Sequence, residues 1–285
     1  MLELKTDKLI SDYYKRLANE SRIKKFLSQE QVEKLSSMVT IVPYNRLKYS
    51  SDIKNPLEIV LNFYRKEFPS FYTLIDKGIK NGHINLEGEG SYVSTSNGSC
   101  HIKLNFNDAD VFMIAHEFGH YIALNSNPPI IDKYYFKYAE VLSIYMEKRL
   151  KRYLISKHGF TSLVNTREYN RLYFESRMIS VAVSEYKYEQ LYKEGKLALT
   201  DRDVNNILKI LRIAKSNSLN IALTYPLGNI ISEYLIDHNI TIDGNLINVL
   251  ASLNIDELLN TYQDIFKKIE VPDEEKRISN FFGKI

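Results

Sequence analysis

The stretch Met113-Ile114-Ala115-His116-Glu117-Phe118-Gly119-His120-Tyr121-Ile122-Ala123 places two histidines four residues apart, with a glutamate directly after the first. In an α-helix, side chains four positions apart lie about 40° from each other around the axis. Both imidazoles could therefore bind one tetrahedral metal ion, and Glu117 is placed to take a proton from a water molecule that the metal activates. From the chain's own His and Glu frequencies, the pattern is expected by chance in roughly one per cent of such sequences.

The residues around this motif favour a helix. Apolar residues recur with helical spacing at Val111, Ile114, Ala115, Phe118 and Ile122. The segment 107–110 before them supplies a predicted N-cap and negative charge for the first turn. The segment 125–129, which contains two prolines, ends the helix. The two histidines are thus predicted to lie on one face of a helix.

A third metal ligand is predicted on the next helix. Residues 133–157 have a helical apolar pattern, with Glu140 near the first turns and Glu147 two turns further along the same face. An acidic residue on a following helix is the third ligand that a zinc site with two histidines needs. Glu140 could instead lie on a solvated surface, but the apolar residues beside it suit a buried setting, which favours the ligand interpretation.

The segment before the motif has the strongest β-strand signals of the chain. Residues 82–86 are predicted to form a short strand, 87–90 a turn, 91–95 a second strand and 100–106 a third, half-buried strand. The third strand directly precedes the metal helix. Its edge is either open, so that it could bind an extended peptide by main-chain hydrogen bonds, or fully paired and purely structural. The sequence leaves both alternatives open.

Helices are predicted for most of the remaining chain. They cover 7–27, 28–38 with a capping box at its start, a segment that begins at Pro56, 69–80 and 256–270, and residues 39–49 form an extended connection. No repeat or flexible linker divides the chain. We therefore expect one domain over 1–285, mainly α with a small antiparallel β-sheet. It comprises a helical extension (1–50), a β region (82–106) and a helical core around the metal site (107–285).

The composition is that of an ordinary globular protein, with 44% hydrophobic and 26% charged residues. Its formal net charge of +3 argues against nucleic acid or an anionic membrane as a partner. No apolar run of transmembrane or signal-peptide length is found, so a cytoplasmic location is expected. Cys100 is the single cysteine, which excludes an internal disulfide and a thiolate metal cluster. A metal site must therefore use His, Glu or Asp.

Several segments resemble the oligoendopeptidase F and thimet oligopeptidase family of zinc peptidases. They are Gly90-Ser91-Tyr92, Ile102-Lys103-Leu104-Asn105, the run from Asp110 to His120, and Glu140-Val141-Leu142-Ser143-Ile144-Tyr145-Met146-Glu147, which matches a Glu-Val-x-Ser-x-x-x-Glu helix of the family. Further similarity covers Arg177-Met178-Ile179-Ser180 through Glu185, Leu191-Tyr192-Lys193-Glu194-Gly195 and Leu199-Thr200. With weaker similarity from about Pro56 to the C-terminus, the resemblance extends over most of the chain.

The resemblance implies a zincin-like metallopeptidase catalytic domain of the gluzincin type, in which two histidines and a glutamate hold one Zn²⁺. The implied ligands are His116, His120 and Glu140, with Glu117 as the general base and Glu147 as a supporting carboxylate. The expected function is a zinc-dependent endopeptidase. Its substrates would be peptides in general or one dedicated peptide or protein.

Two departures from the family bear on activity. Members usually carry a much longer helical N-terminal part, whereas about 50 residues precede the similar region here, so we expect a shallower cleft that admits larger substrates. The family also has a histidine and a tyrosine-rich cluster late in the chain, which donate hydrogen bonds to the developing oxyanion. The matching segment 223–234 retains Tyr225 and a second tyrosine, Tyr234, without that histidine. His238 is near in sequence but does not align with it.

This reduced segment favours an alternative function, in which a weakened or inactive relative binds peptides or a protein through the same cleft. The complete His-Glu-x-x-His motif argues for the enzyme, because a binding module has no use for Glu117. Other polar residues are interpreted as structural or surface residues. His83, His101 and His158 have no partner at ligand spacing and are expected on the surface or in strands. Cys100 is expected to be structural or incidental. The basic cluster Lys148-Arg149 with Lys151-Arg152 is expected to form a solvated helix face.

Overall fold

Helices dominate the fold, as the apolar spacing predicts. The computed structural model of the chain describes residues 2–20, 22, 24–40, 43, 45–130, 136–200, 202–205 and 219–267. Three short strands, β1 (Ile84–Asn85), β2 (Glu87–Val93) and β3 (Cys100–Lys103), form one sheet. The helices are α1 (Leu2–Glu20), α2 (Gln29–Met38), α3 (Pro56–Glu67), α4 (Pro69–Lys80), α5 (Asp110–Asn125), α6 (Val141–His158), α7 (Thr161–Lys193), α8 (Leu219–Asp237), α9 (Leu246–Ser252) and α10 (Ile255–Thr261).

Local capping signals place two helix starts where the sequence predicts them. The Ser28 hydroxyl accepts a hydrogen bond from the Gln31 backbone N–H, and the Gln31 side chain accepts one from the Ser28 N–H. This reciprocal pair is the predicted capping box of α2. Helix α3 begins at Pro56, and the Asn55 side chain caps it by accepting from the Glu58 N–H.

Helix α1 ends earlier than predicted, at Glu20 rather than near residue 27. A tertiary contact explains the difference. The Asn220 side chain on α8 accepts a hydrogen bond from the Phe26 N–H and donates one to the Lys24 carbonyl. These two bonds hold the chain in a non-helical conformation against α8. Ile23, which the predicted helix included, lies outside the described residues.

Helix α5 carries the histidine motif and is buried over most of its circumference, against α3, α4, α6 and the sheet. The Tyr64 hydroxyl on α3 donates to the Ala115 carbonyl, which fixes α5 from that side. The predicted side-chain N-cap is wrong, because Ala109 occupies the cap position. The Asp110 carboxylate instead accepts the backbone N–H groups of Asn105 and Asn107, so it braces the loop that enters the helix.

The sheet is mixed, so the prediction of an antiparallel sheet is only half right. Its order is β1-β3-β2, with β1 parallel and β2 antiparallel to β3. Strand β3 is paired on both sides, which contradicts an open edge directly before the metal helix. The predicted turn at 87–90 is instead part of β2, which carries an irregularity there. Gly88 allows it, because a Cβ atom at that position would lie 3.2 Å from the Ile102 backbone nitrogen.

The long helix predicted over 133–157 begins later than expected. Residues 131–135 lie outside the described part, Phe136–Tyr138 form a 3-10 turn, and α6 starts at Val141. Glu140 is therefore the residue directly before α6. At the other end of the chain, α10 covers only the first part of the predicted helix 256–270, and residues 268–270 are not among those described.

The basic cluster on α6 is not the solvated face that the sequence predicts. Lys148 and Lys151 are only 7% and 4% exposed. Lys148 is bonded to Glu233 on α8 and Lys151 to Glu168 on α7, so partners distant in sequence compensate the buried charges. Arg152 is exposed, as expected. Among the described helices, none combines the length and the apolarity that crossing a membrane requires.

Candidate metal centre

Three side chains meet between α5 and the start of α6. His116 Nε2 and His120 Nε2 are 3.1 Å apart, and Glu140 Oε2 lies 3.2 Å from the first and 3.4 Å from the second. Ligand atoms bound at about 2.05 Å in a tetrahedral zinc site are separated by roughly 3.3 Å. Among the described residues, these three side chains form a group that could hold a metal ion.

Two glycines permit the close packing that brings Glu140 to the histidines. A Cβ atom at Gly119 on α5 would lie 2.5 Å from Ser143 Cα on α6, closer than real Cβ atoms approach. A Cβ atom at Gly228 on α8 would lie 3.0 Å from Glu140 Cβ. Gly119 thus lets the first turn of α6 pack directly on α5, and Gly228 leaves room for Glu140 itself.

The environment of Glu140 keeps its carboxylate ionised. Burial opposes ionisation, but His120 and His116 outweigh it and hold the pKa of Glu140 well below its usual range. Ser143 Oγ also donates to the Glu140 carboxylate at 3.3 Å. A metal ligand must be in this deprotonated form, so the carboxylate is prepared for the role that the sequence predicts.

Glu147 holds the first histidine from behind. Its Oε1 is 2.7 Å from His116 Nδ1, and its Oε2 accepts from Arg167 Nε and Nη2 at 2.8 and 2.7 Å. Although burial opposes ionisation, Arg167 and His116 keep the pKa of Glu147 well below its usual range. Such a carboxylate behind a histidine fixes the ring orientation and leaves Nε2 directed at the ligand cluster.

The centre as a whole favours positive charge. Burial alone would lower the pKa of His116, but hydrogen bonds to Glu140 and Glu147 outweigh it and raise the pKa to about 10. The same carboxylates would attract a metal cation in place of a proton.

Glu117 faces the same centre from the next position of α5. It is 7% exposed, and its Oε2 is buried with no hydrogen-bond partner among the described residues. Burial raises the pKa of Glu117, and His116 and His120 oppose this only in part. An unpartnered buried carboxylate oxygen is costly unless a bound molecule uses it, so this atom marks a position for a ligand or water.

Tyr225 on α8 lies beside the cluster. The charge of Glu140, burial and a hydrogen bond to Glu140 together raise the pKa of Tyr225 well above its usual range. The ring of Phe174 contacts it edge-on at 4.9 Å between centroids. Tyr234 instead packs on His238, with 4.2 Å between the ring centroids.

A cavity of about 570 Å³ opens directly beside His116 and Tyr225. Residues from α5, α6, α7 and the loops before α3 and α5 line it. They include Arg46, Tyr49, Asn107, Met113, Arg167 and Phe174. Of the three clustered side chains, His116 thus forms part of the cavity wall.

The residues of α7 that line the cavity were not predicted from the sequence. Arg167, Arg171 and Phe174 follow the motif by about 50 residues, and their spacing in sequence gives no sign of their proximity to His116. Two of the histidines that have no partner at ligand spacing pack on aromatic rings. His101 stacks on Tyr92, and His158 packs between Tyr153 and Phe160. Cys100 is buried beneath α5.

Neither a protein-family model, nor a curated protein, nor a solved structure matches this chain. A proposal for the function of the protein must therefore rest on the geometry of the candidate metal centre.

Proposed function

We propose that the protein is a zinc-dependent endopeptidase, in which His116, His120 and Glu140 hold one Zn²⁺. The observation that carries this proposal is the spacing of the three ligand atoms, 3.1 to 3.4 Å for each pair. Bound zinc would supply Lewis-acid polarisation of the scissile carbonyl and would lower the pKa of a coordinated water molecule.

Glu117 moves the proton in this proposal. Its burial makes the carboxylate a stronger base than a solvated glutamate, and its free Oε2 can accept a hydrogen bond from the attacking water. It takes the water proton during attack and delivers it to the leaving amine nitrogen, which becomes a neutral amine.

Tyr225 acts as the hydrogen-bond donor to the substrate carbonyl oxygen as negative charge develops there. Its raised pKa means that the phenol keeps its proton in neutral solution and remains a donor. Arg167 and Glu147 act at a distance, because they hold His116 in the orientation that binding requires.

Strand β2 is the place where an extended peptide would bind. It forms one edge of the sheet in the described part of the chain. Ser91 Oγ on β2 lies 3.0 Å from Met113 Sδ on α5, and Met113 lines the cavity beside His116. A peptide paired with β2 by main-chain hydrogen bonds would thus pass the metal centre. In this proposal β2 has the role that the sequence left open for the strand before α5.

The same arrangement supports a zincin-like domain of the oligoendopeptidase F and thimet oligopeptidase type. Glu140 lies at the cluster and Glu147 is bonded to His116, and these are the roles that the resemblance implies for the two glutamates. The support comes from these two positions and from the motif on α5.

The test is incubation of the purified protein with a peptide mixture, followed by mass spectrometry, with and without a chelator. We expect new peptide termini that disappear when the chelator is present and return with added Zn²⁺. Glu117→Gln should retain the metal and lose turnover by about 100- to 10,000-fold, the range for a general base. Glu30→Gln, at an exposed position on α2, is the matched control and should cleave as the wild type does.

Two results would contradict the proposal. Cleavage by Glu117→Gln at the wild-type rate would remove the general base. Tight peptide binding by both proteins without any cleavage would instead favour the peptide-binding module.

A further inference from the structure

The wall of the cavity beside His116 contains a guanidinium group, and two of its nitrogens have no hydrogen-bond partner in the described part of the chain. Arg171 on α7 is 10% exposed at its side chain. Its Nη2 is bonded to Glu168, and its Nε lies 3.8 Å from Glu175 Oε1. Neither Nε nor Nη1 has a hydrogen-bond partner among the described residues. Buried donors of a charged group are rarely left unused, because an unmade hydrogen bond to a charged group is costly.

The other charged groups of the cavity wall are arranged differently. Arg167 donates hydrogen bonds from two of its nitrogens to one oxygen of Glu147. The other oxygen of Glu147 is bonded to His116. Glu175 accepts from the Asn229 side chain in addition to facing Arg171. Both carboxylates of the wall, Glu147 and Glu175, therefore already have partners.

A second guanidinium lies where the cavity meets solvent. Arg46 lines the cavity, is exposed and makes no hydrogen bond or ion pair with the part of the chain that the structure describes. The cavity thus has one arginine with spare donors in its wall and one unpaired arginine at its opening. His116 and Tyr225 belong to the same wall, so whatever occupies the cavity is next to the metal centre.

We propose that this cavity, which we call the arginine pocket (Arg46, Arg171 and the walls between them), binds a carboxylate of the substrate residue beside the scissile bond. The inference rests on the proposed peptidase function and names its substrate class. Guanidinium groups bind carboxylates through paired, charge-assisted hydrogen bonds. The carboxylate is either an Asp or Glu side chain within a peptide or the C-terminal carboxylate of the peptide itself, and the chemistry of recognition is the same for both.

Direct binding tests the pocket without relying on turnover. Glu117→Gln protein, loaded with Zn²⁺, is titrated into four fluorescent peptides that differ only in Glu or Gln at one position and in a free or amidated C-terminus. In one of the two pairs, we expect the form with the extra carboxylate to bind at least about tenfold more tightly, the effect of one charge-assisted hydrogen bond. The Glu/Gln pair and the acid/amide pair identify which carboxylate the pocket takes.

Variants of the two arginines assign the preference to the pocket. In the Glu117→Gln background, Arg46→Gln and Arg171→Lys should each reduce the ratio between acidic and neutral peptides. Arg46 is exposed, so its variant tests the pocket even where Arg171→Lys disturbs folding. Arg177→Gln, on the exposed side of α7, is the matched control and should retain the full ratio.

Equal affinity for all four peptides would overturn the inference, as would an acidic preference that survives both arginine substitutions. A failure of the pocket can be distinguished from a failure of the proposed peptidase function. Acidic preference without cleavage by the wild type would retain the pocket and reject the peptidase. Cleavage without any acidic preference would retain the peptidase and reject the pocket.

Discussion

Two buried clusters of charged side chains share helix α6, and they differ in how their charges are balanced. In the ion-pair layer, the cations Lys148, Lys151 and Arg171 face the carboxylates Glu168, Glu175 and Glu233. In the metal centre, the carboxylates Glu117, Glu140 and Glu147 surround two histidines, and Arg167 is the nearby guanidinium. The first cluster is balanced within the protein. The second is two positive charges short when both histidines are neutral, as histidines that bind a metal are.

We therefore expect the two clusters to differ in role, the first structural and the second metal-binding. Buried charges are stable only when they are paired, and each carboxylate of the ion-pair layer has a cation of the chain as its partner. A buried excess of two negative charges, with ligand atoms 3.1 to 3.4 Å apart, is the complement of a divalent cation. Changes in the ion-pair layer should therefore affect stability, and changes in the metal centre should affect metal binding and turnover.

The largest expected effect on stability comes from Glu168→Gln. Glu168 pairs with both Lys151 and Arg171, and the substitution leaves two buried cations without their carboxylate. We expect unfolding in urea to require about 3–5 kcal/mol less free energy. The zinc content of the folded variant should equal that of the wild type. A variant of unchanged stability would show that the layer is not a buried ion-pair cluster.

Tyr225→Phe tests the other side of the comparison. The substitution removes only the phenol oxygen, so the contact with Phe174 remains while the donor beside Glu140 is lost. We expect a roughly 100- to 1,000-fold lower kcat, the usual cost of one oxyanion donor, and little change in unfolding free energy. Steady-state kinetics on one cleaved peptide provide the measurement. Full activity in this variant would remove Tyr225 from the mechanism.

Glu175→Gln should have a smaller effect that depends on pH. Burial raises the pKa of Glu175 to about 7 despite Arg171 and Asn229, whereas the unfolded chain titrates near its ordinary value. The folded state therefore binds the proton more strongly, and its stability falls as pH rises from about 4.5 to 7. The glutamine of the variant does not titrate. From pH 5.5 to pH 8, the free energy of unfolding of the variant should therefore rise by about 1–3 kcal/mol relative to that of the wild type. Urea unfolding at both pH values checks this, and a pH-independent difference would contradict it.

Features of the fold and of the site that are encoded locally could be predicted from the sequence. The motif on α5 is local, because helical periodicity alone directs His116 and His120 to one side, and Glu140 follows as the acidic residue at a plausible distance. The capping box of α2 is equally local. These features are encoded within one or two helical turns, and they were predictable.

Features that depend on distant partners were not predictable. The sequence near Lys151 does not indicate that this lysine is buried in an ion pair with Glu168 on α7. Likewise, Lys148 forms its ion pair with Glu233, 85 residues away. The same holds for Arg167 behind Glu147 and for the pairing of β3 on both sides. Glu140 lies directly before α6 rather than within it, where it packs against Gly228 of α8. Tertiary packing decides these points, and one sequence does not specify it locally.

Zinc stoichiometry tests the central claim most directly. The wild type, Glu140→Gln and Glu168→Gln are purified, stripped with a chelator, equilibrated with Zn²⁺ at a concentration near that of the protein, and analysed for bound metal. We predict one zinc per chain for the wild type and for folded Glu168→Gln, and substantially less than one for Glu140→Gln, which loses a ligand charge. Equal zinc binding by the wild type and Glu140→Gln, or no zinc in the wild type, would contradict the account.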